Sequence, residues 1–227
     1  MLFRSYMNIT YCKDYTSMSM QVADIVVDRI NKQFYNLGLP TGKTPIKLYE
    51  ILVKKEIDWS NVKTFNLDEY LGVPNNHPLL FKNFMFEHFH KHINIKEENI
   101  YFPTRDYEEV IERNGNLDLT ILGLGTNAHI AFNEPGSEFN SISRTVMLDE
   151  STKNSLIKDF GNFWLTPKIA LTMGIQTILN SKEIILLVCG RNKLDILQQS
   201  LWKEPTIYRP CSALQLHKNV SVFYCDY

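Results

Sequence analysis

Short β-rich apolar runs, each ended by glycine or a polar turn, alternate along this chain with longer segments that carry one apolar face. That alternation leaves few folds open. "FYNLGL", "VKTFNL", "LDLTILGLG", "EIILLVCG" and "VSVFYC" read as buried strands. "YTSMSMQVADIVVDRINKQ", "TPIKLYEILVKK", "PLLFKNFMFEHFHKH" and "RNKLDILQQSLW" read as amphipathic helices between them. Strands separated by helices imply an α/β fold, with a mostly parallel central sheet covered on both faces. Its 227 residues are expected to form a single domain, residues 1–227, without repeat, linker or low-complexity segment. The stretches from Pro103 to Asn116 and from Lys158 to Pro167 are expected to be mobile connections. In such sheets ligands sit beyond the carboxyl ends of the strands. The chemistry is therefore expected at Gly38–Thr44, Asn66–Gly72, Gly123–Glu134 and Gly190–Lys193.

The 24 basic and 25 acidic residues nearly cancel, so no global field favours nucleic acid or an acidic membrane. Any anion must be held locally. The longest strongly apolar run, "IILLVC", is too short to span a bilayer, and "MLFRSYMNITYCK" lacks the apolar region of a secretory signal. Cys12, Cys189, Cys211 and Cys225 lack C-x-x-C spacing, which argues against zinc and for reduced thiols in a cytoplasmic protein.

"LGLPTGKTP" approaches a nucleotide-binding P-loop but misses it. That pattern needs four residues between its glycines, and Gly38 and Gly42 have three, with Pro45 following at once. A Gly-containing turn between strand and helix still offers free backbone N–H groups to an anion. The same residues also suit a plain helix start, with Thr44 as cap and Pro45 in the first turn.

In "FNLDEYLG", Asp68 and Glu69 fall just past a strand, where adjacent side chains point oppositely. One carboxylate can then face a substrate while the other anchors the loop. A carboxylate buried in a cleft gains proton affinity and can serve as a general base, whereas an exposed acidic turn would do neither. "GLGTNAHIAFNEPG" places His129 and Glu134 close together after a glycine-rich release from a strand, the components of an acid–base pair. It has no second His or Cys at ligand spacing for a metal, and no G-x-S-x-G elbow accompanies it. Lys193 in "CGRNK" starts a helix after a strand and is placed to meet an anion at Gly42–Thr44, unless it is one more solvated lysine. His217 in "SALQLH" has no expected chemical task.

Taken in order, "LGLPTGKTP", "FNLDEYLGVPNNHP", "LGLGTNAHIAFNEPGS", "ALTMGIQTIL" and "SALQLH" resemble the glucosamine-6-phosphate deaminases, specifically the shorter Bacillus-type members. The resemblance covers nearly the whole chain. It implies a modified Rossmann-like fold and an isomerisation of a hexosamine 6-phosphate coupled to ammonia loss, without cofactor. It implies Asp68 as the base at C2 and His129, supported by Glu134 and Asn127, as the ring-opening group. It implies a phosphate site of Thr41, Gly42, Lys43, Thr44 and Lys193, with Lys158 where a phosphate-binding arginine is usual. A monomer or small homo-oligomer is expected.

Several positions depart from that pattern. Asn127 stands where many members have Asp, Ala128 where Gly is usual, and Lys43 at the second Gly of "TGGTP". In an ungapped register Ile142 takes the place of a usual arginine, and a shift of two residues restores Arg144 to it. Lys43 is expected to compensate for the arginine-to-lysine change at Lys158. Galactosamine-6-phosphate isomerase, 6-phosphogluconolactonase and a non-catalytic sugar-phosphate sensor are the alternatives, with the P-loop NTPase more remote.

Overall fold

The structure is a computed structural model that describes residues 7–33, 35–161, 163 and 165–226. Phe34, expected to open a strand, the first six residues, expected to lack an apolar leader, and Asn162 and Trp164, expected in a mobile connection, lie outside the described residues.

Seven parallel strands form the main sheet, in the order β1 (Ile9–Cys12), β10 (Val220–Cys225), β9 (Glu183–Cys189), β6 (Leu119–Gly123), β2 (Asn36–Leu39), β3 (Lys63–Asn66), β5 (Ile100–Tyr101). After Glu183 the run "IILLVC" is apolar throughout because β9 is buried on both faces. Ile185 and Leu187 join one core cluster with α1 (Tyr15–Asn31) and α2 (Ile46–Leu52), while Ile184, Leu186 and Val188 join another with α6 (Ile175–Leu179) and α7 (Leu194–Trp202). Helix α1 forms where Asp14 and Ser17 close a reciprocal capping box, and it buries the Met18, Val22, Val26, Ile30 stripe. The expected α/β layering is the observed one.

Three differences stand out. Helix α2 starts one residue late, with Pro45 as its N-cap and no side-chain cap from Thr44. The two expected mobile connections are partly helical. Helix α4 (Tyr107–Arg113) occupies the first, and Lys158–Phe160 finish α5 (Glu150–Phe160) in the second. Helix α4 buries only Tyr107 and Ile111, too few apolar positions for periodicity to reveal it. Finally, β4 (Asp68–Leu71), β7 (Arg144–Met147) and β8 (Ile169–Thr172) make a small antiparallel sheet, order β4-β8-β7, that composition did not announce.

Candidate active site

The chain leaves the large sheet at Asn66 and enters the small one at Asp68. Leu67 spans the junction: its N–H donates to the Leu39 carbonyl at 3.2 Å, and its carbonyl accepts from Met173 N–H at 2.7 Å. Held at both ends, Asp68 is fixed over the carboxyl edge of the parallel strands. There a cleft of about 540 Å³ opens, lined by Thr41–Thr44, Asp68, Gly123–Thr126, His129 and Lys193. Four separate strand ends, β2, β3, β6 and β9, therefore deliver their residues to one space. The opposite wall is apolar and aromatic, formed by Tyr70, Phe81, Phe132, Leu156 and Phe160. The Tyr70 and Phe81 rings lie 4.5 Å apart.

The Asp68 carboxyl is buried with no side-chain partner among the hydrogen bonds of the described residues, and burial, then the neighbouring Glu69, pushes its pKa well above the usual range. Glu69 points away from the cleft. Its carboxylate accepts from the N–H groups of Tyr70, Phe81 and Lys82, at 2.9, 2.9 and 2.8 Å, and so fixes the start of α3 (Phe81–His88). One carboxylate faces the cleft and the other anchors it, the division expected for adjacent residues of a strand.

Gly125 explains the glycine-rich release after β6. A Cβ there would meet the His129 imidazole at about 2.3 Å, so only glycine leaves room for the ring. Ala128, where the resemblance has Gly, takes the left-handed conformation at φ 69°. That costs roughly 1–2 kcal/mol, offset in part by burial of its methyl group, worth about 0.8 kcal/mol. The His129 Nδ1 is buried and lies 3.3 Å from Glu134 Oε2, off the line of a hydrogen bond, so the pair is an electrostatic contact. Asn127 Nδ2 donates to Glu134 Oε2 at 2.8 Å, and Thr152 Oγ1 donates to Oε1 at 2.6 Å. Burial pushes the Glu134 carboxyl up, but His129, Thr152 and Asn127 outweigh it and hold the pKa below the usual range. Glu134 and Asn127 stand behind His129 rather than in the cleft.

The anion end is built from the β2 loop and Lys193. Gly42 has φ 93°, a turn that favours glycine. Tyr15 of α1 braces this loop: its hydroxyl lies 2.9 Å from the carbonyls of Lys43 and Thr44 and accepts from Lys47 N–H at 3.0 Å. Lys193 Nζ donates to the Leu124 carbonyl at 2.6 Å, and burial lowers its pKa.

Lys158 is the exception among the expected phosphate ligands. It is exposed and does not line the cleft. Helix α5 turns Thr152, Ser155, Leu156 and Asp159 inward, a spacing of three, four and seven residues that leaves position 158 off the face. Ile142 is exposed, and the Arg144 guanidinium donates to Asn133 Oδ1 at 2.9 Å and to Ser137 Oγ at 3.2 Å, holding the "FNEPGS" loop. His217 binds the Ser181 carbonyl at 2.8 Å, away from the cleft. Thr152, Asp159 and Tyr15 were not singled out by sequence. Tyr15 looks like any helix-opening residue, and Thr152 and Asp159 sit in a segment without a motif. Among the described residues no group of three His, Cys, Asp or Glu side chains could hold a metal, and no helix is long and apolar enough to cross a membrane.

A doubly covered parallel sheet with an acid, an imidazole–carboxylate pair and a lysine-bearing loop at its carboxyl edge defines an α/β protein whose cleft is equipped for acid–base chemistry on an anionic ligand. The profile of the glucosamine-6-phosphate isomerases/6-phosphogluconolactonase family matches residues 13–223, and the chain belongs to that family. It is 40% identical to glucosamine-6-phosphate deaminase 2 of Bacillus subtilis (strain 168), covering 97% of this chain and 95% of the relative. It is 39% identical to glucosamine-6-phosphate deaminase of Thermoanaerobacter sp. (strain X514), covering 95% and 91%. A solved structure of a monomeric glucosamine-6-phosphate deaminase superposes with TM-score 0.93 at 35% identity, covering 96% and 97%. A 6-phosphogluconolactonase from Trypanosoma cruzi superposes with TM-score 0.79 at 19% identity, covering 98% and 95%, a likeness of fold alone.

Proposed function

We propose that this protein is a glucosamine-6-phosphate deaminase, converting glucosamine 6-phosphate and water to fructose 6-phosphate and ammonia. One observation carries the reading: the base-competent Asp68, the His129–Glu134 pair and the Lys43 and Lys193 side of the anion loop serve a single cleft. The relatives at 39–40% identity are deaminases of this kind, which supports the same substrate here.

In this reading the phosphate binds at Thr41–Thr44 and Lys193, and that remote contact sets C1 and C2 against Asp68. His129 moves the O1 proton to the ring oxygen and opens the ring, with the Glu134 charge stabilising its protonated form. Asp68 takes the proton from C2 and returns it to C1 through an enolamine. The resulting C2 imine is hydrolysed by water to the ketone, releasing ammonia. Each acid–base step contributes roughly 10²–10⁴-fold. The four free cysteines fit a reducing cytoplasm, and the monomeric relative supports action as a monomer.

Ammonia release is measured from glucosamine 6-phosphate and galactosamine 6-phosphate, alongside hydrolysis of 6-phosphogluconolactone. Release from the gluco epimer is expected to dominate. Lactone hydrolysis without ammonia release, or binding of the sugar phosphates without turnover, would replace this reading by one of the alternatives.

A further inference from the structure

Each oxygen of the Glu134 carboxylate has its own partners. Oε2 faces His129 and accepts from Asn127, while Oε1 accepts only from Thr152 among the hydrogen bonds of the described residues. Thr152 comes from a different part of the fold, the first turn of α5, and is itself buried. The same turn reaches the pair a second time. Ser151 Oγ donates to Asp149 Oδ1 at 2.6 Å, which leaves its oxygen free to accept from Asn127 Nδ2 at 3.4 Å. Asp149 is in turn the N-cap of α5, accepting from Ser151 N–H at 2.8 Å. A carboxylate gripped through one oxygen cannot rotate without breaking that bond, so the other oxygen stays directed at the imidazole.

We propose that Thr152 is a positioning residue of the reaction, its hydroxyl holding Glu134 in the orientation that lets the carboxylate serve His129. The proposal rests on the functional reading above for its kinetic consequence, and on the geometry alone for its effect on Glu134. A charge-assisted hydrogen bond of 2.6 Å between buried groups is among the stronger ones available to a side chain. Its loss leaves the Glu134 charge with one donor fewer in a buried site. The titratable group facing Glu134 is His129, from its own loop, and α5 faces it with the uncharged Thr152.

Three variants separate positioning from mere packing. Thr152→Val keeps the shape and removes the donor, Thr152→Ser keeps the donor, and Glu134→Gln supplies the background for a double-mutant cycle. Thr152→Val is expected to lower kcat on the order of tenfold with KM nearly unchanged, and Thr152→Ser to retain most activity. In the Glu134→Gln background Thr152→Val should add almost nothing, because the residue acts through the carboxylate. The same fold loss in both backgrounds, or a Ser variant as impaired as the Val variant, overturns the proposal.

A readout independent of turnover is the pH midpoint of Glu134, followed by ¹³C NMR of its carboxyl group. Thr152→Val should move it to higher pH by roughly one unit, since a donor to the charged form is lost. An unmoved midpoint overturns the proposal even in an enzyme of another activity. Wild-type protein that releases no ammonia overturns the functional reading instead.

Discussion

Asp68 and Glu69 are consecutive in β4 and do opposite work: the first carboxyl enters the cleft without a hydrogen-bond partner among the described residues, and the second binds the N–H of Tyr70 in its own strand and those of Phe81 and Lys82 at the start of α3. The pleat alone separates them, because successive side chains of a strand leave by opposite faces. A substitution at either position therefore reads out a different property.

Asp68→Asn is expected to abolish turnover while sugar-phosphate binding survives, checked by ammonia release and by calorimetric titration with glucosamine 6-phosphate. Lost binding with intact chemistry would make Asp68 a structural anchor. The same change should stabilise the fold. Burial raises the folded pKa of Asp68 above its unfolded value, so its favourable contribution is complete below about pH 4 and fades as pH rises through the folded value. At neutral pH the Asn variant should therefore melt at a higher temperature than the wild type. Near pH 3.5 the two proteins should melt almost together.

Glu69→Gln should act on stability instead. The amide keeps one acceptor oxygen of two and loses the charge at the start of α3, an expected loss of about 1–3 kcal/mol in urea unfolding. A midpoint equal to wild type would mean that α3 is held by its apolar contacts alone.

Tyr15→Phe tests the brace under the anion loop. The hydroxyl joins α1 to Lys43, Thr44 and Lys47. Without it, KM for the sugar phosphate should rise about three- to tenfold with kcat little changed, the signature of weakened remote binding. A fall in kcat at constant KM would place Tyr15 in the chemistry instead.

Lys43 and Lys158 make contrasting expectations because only the first lines the cleft. Lys43→Gly should raise KM about tenfold, whereas Lys158→Ala should leave it unchanged. An unaltered KM in Lys43→Gly would remove the idea that this lysine compensates for the missing arginine.

Lys193 should give the binding its alkaline limit. Burial lowers its pKa, so its charge, and with it phosphate affinity, is lost at a lower pH than for an ordinary lysine. Inhibition by inorganic phosphate, measured from pH 7 to pH 10, should weaken through that range in the wild type. Lys193→Met should weaken it about 10–100-fold at neutral pH and flatten the dependence. A Met variant with the full alkaline decline would assign the limit to another group.

Sequence alone placed five of the seven strands of the large sheet, all but the edge strands β1 and β5, with its main helices and the four strand-end segments, because burial on both faces forces apolar runs and the helix period marks the covering segments. It also placed Asp68, His129 and Lys193 correctly at the edge of that sheet, since a strand's end is a local property. It missed the small antiparallel sheet, whose strands β4, β7 and β8 pair across segments far apart in the chain rather than in a strand–helix alternation. Lys158 and Thr152 mark the limit most clearly. Both belong to α5, and which of them meets the site depends on the rotation of that helix against the cleft, fixed by long-range contacts such as Phe160 on Tyr70, 5.6 Å between rings. A residue's chemistry is written at its own position, but its address in space is set by packing between segments far apart in the chain, and only the folded structure supplies that.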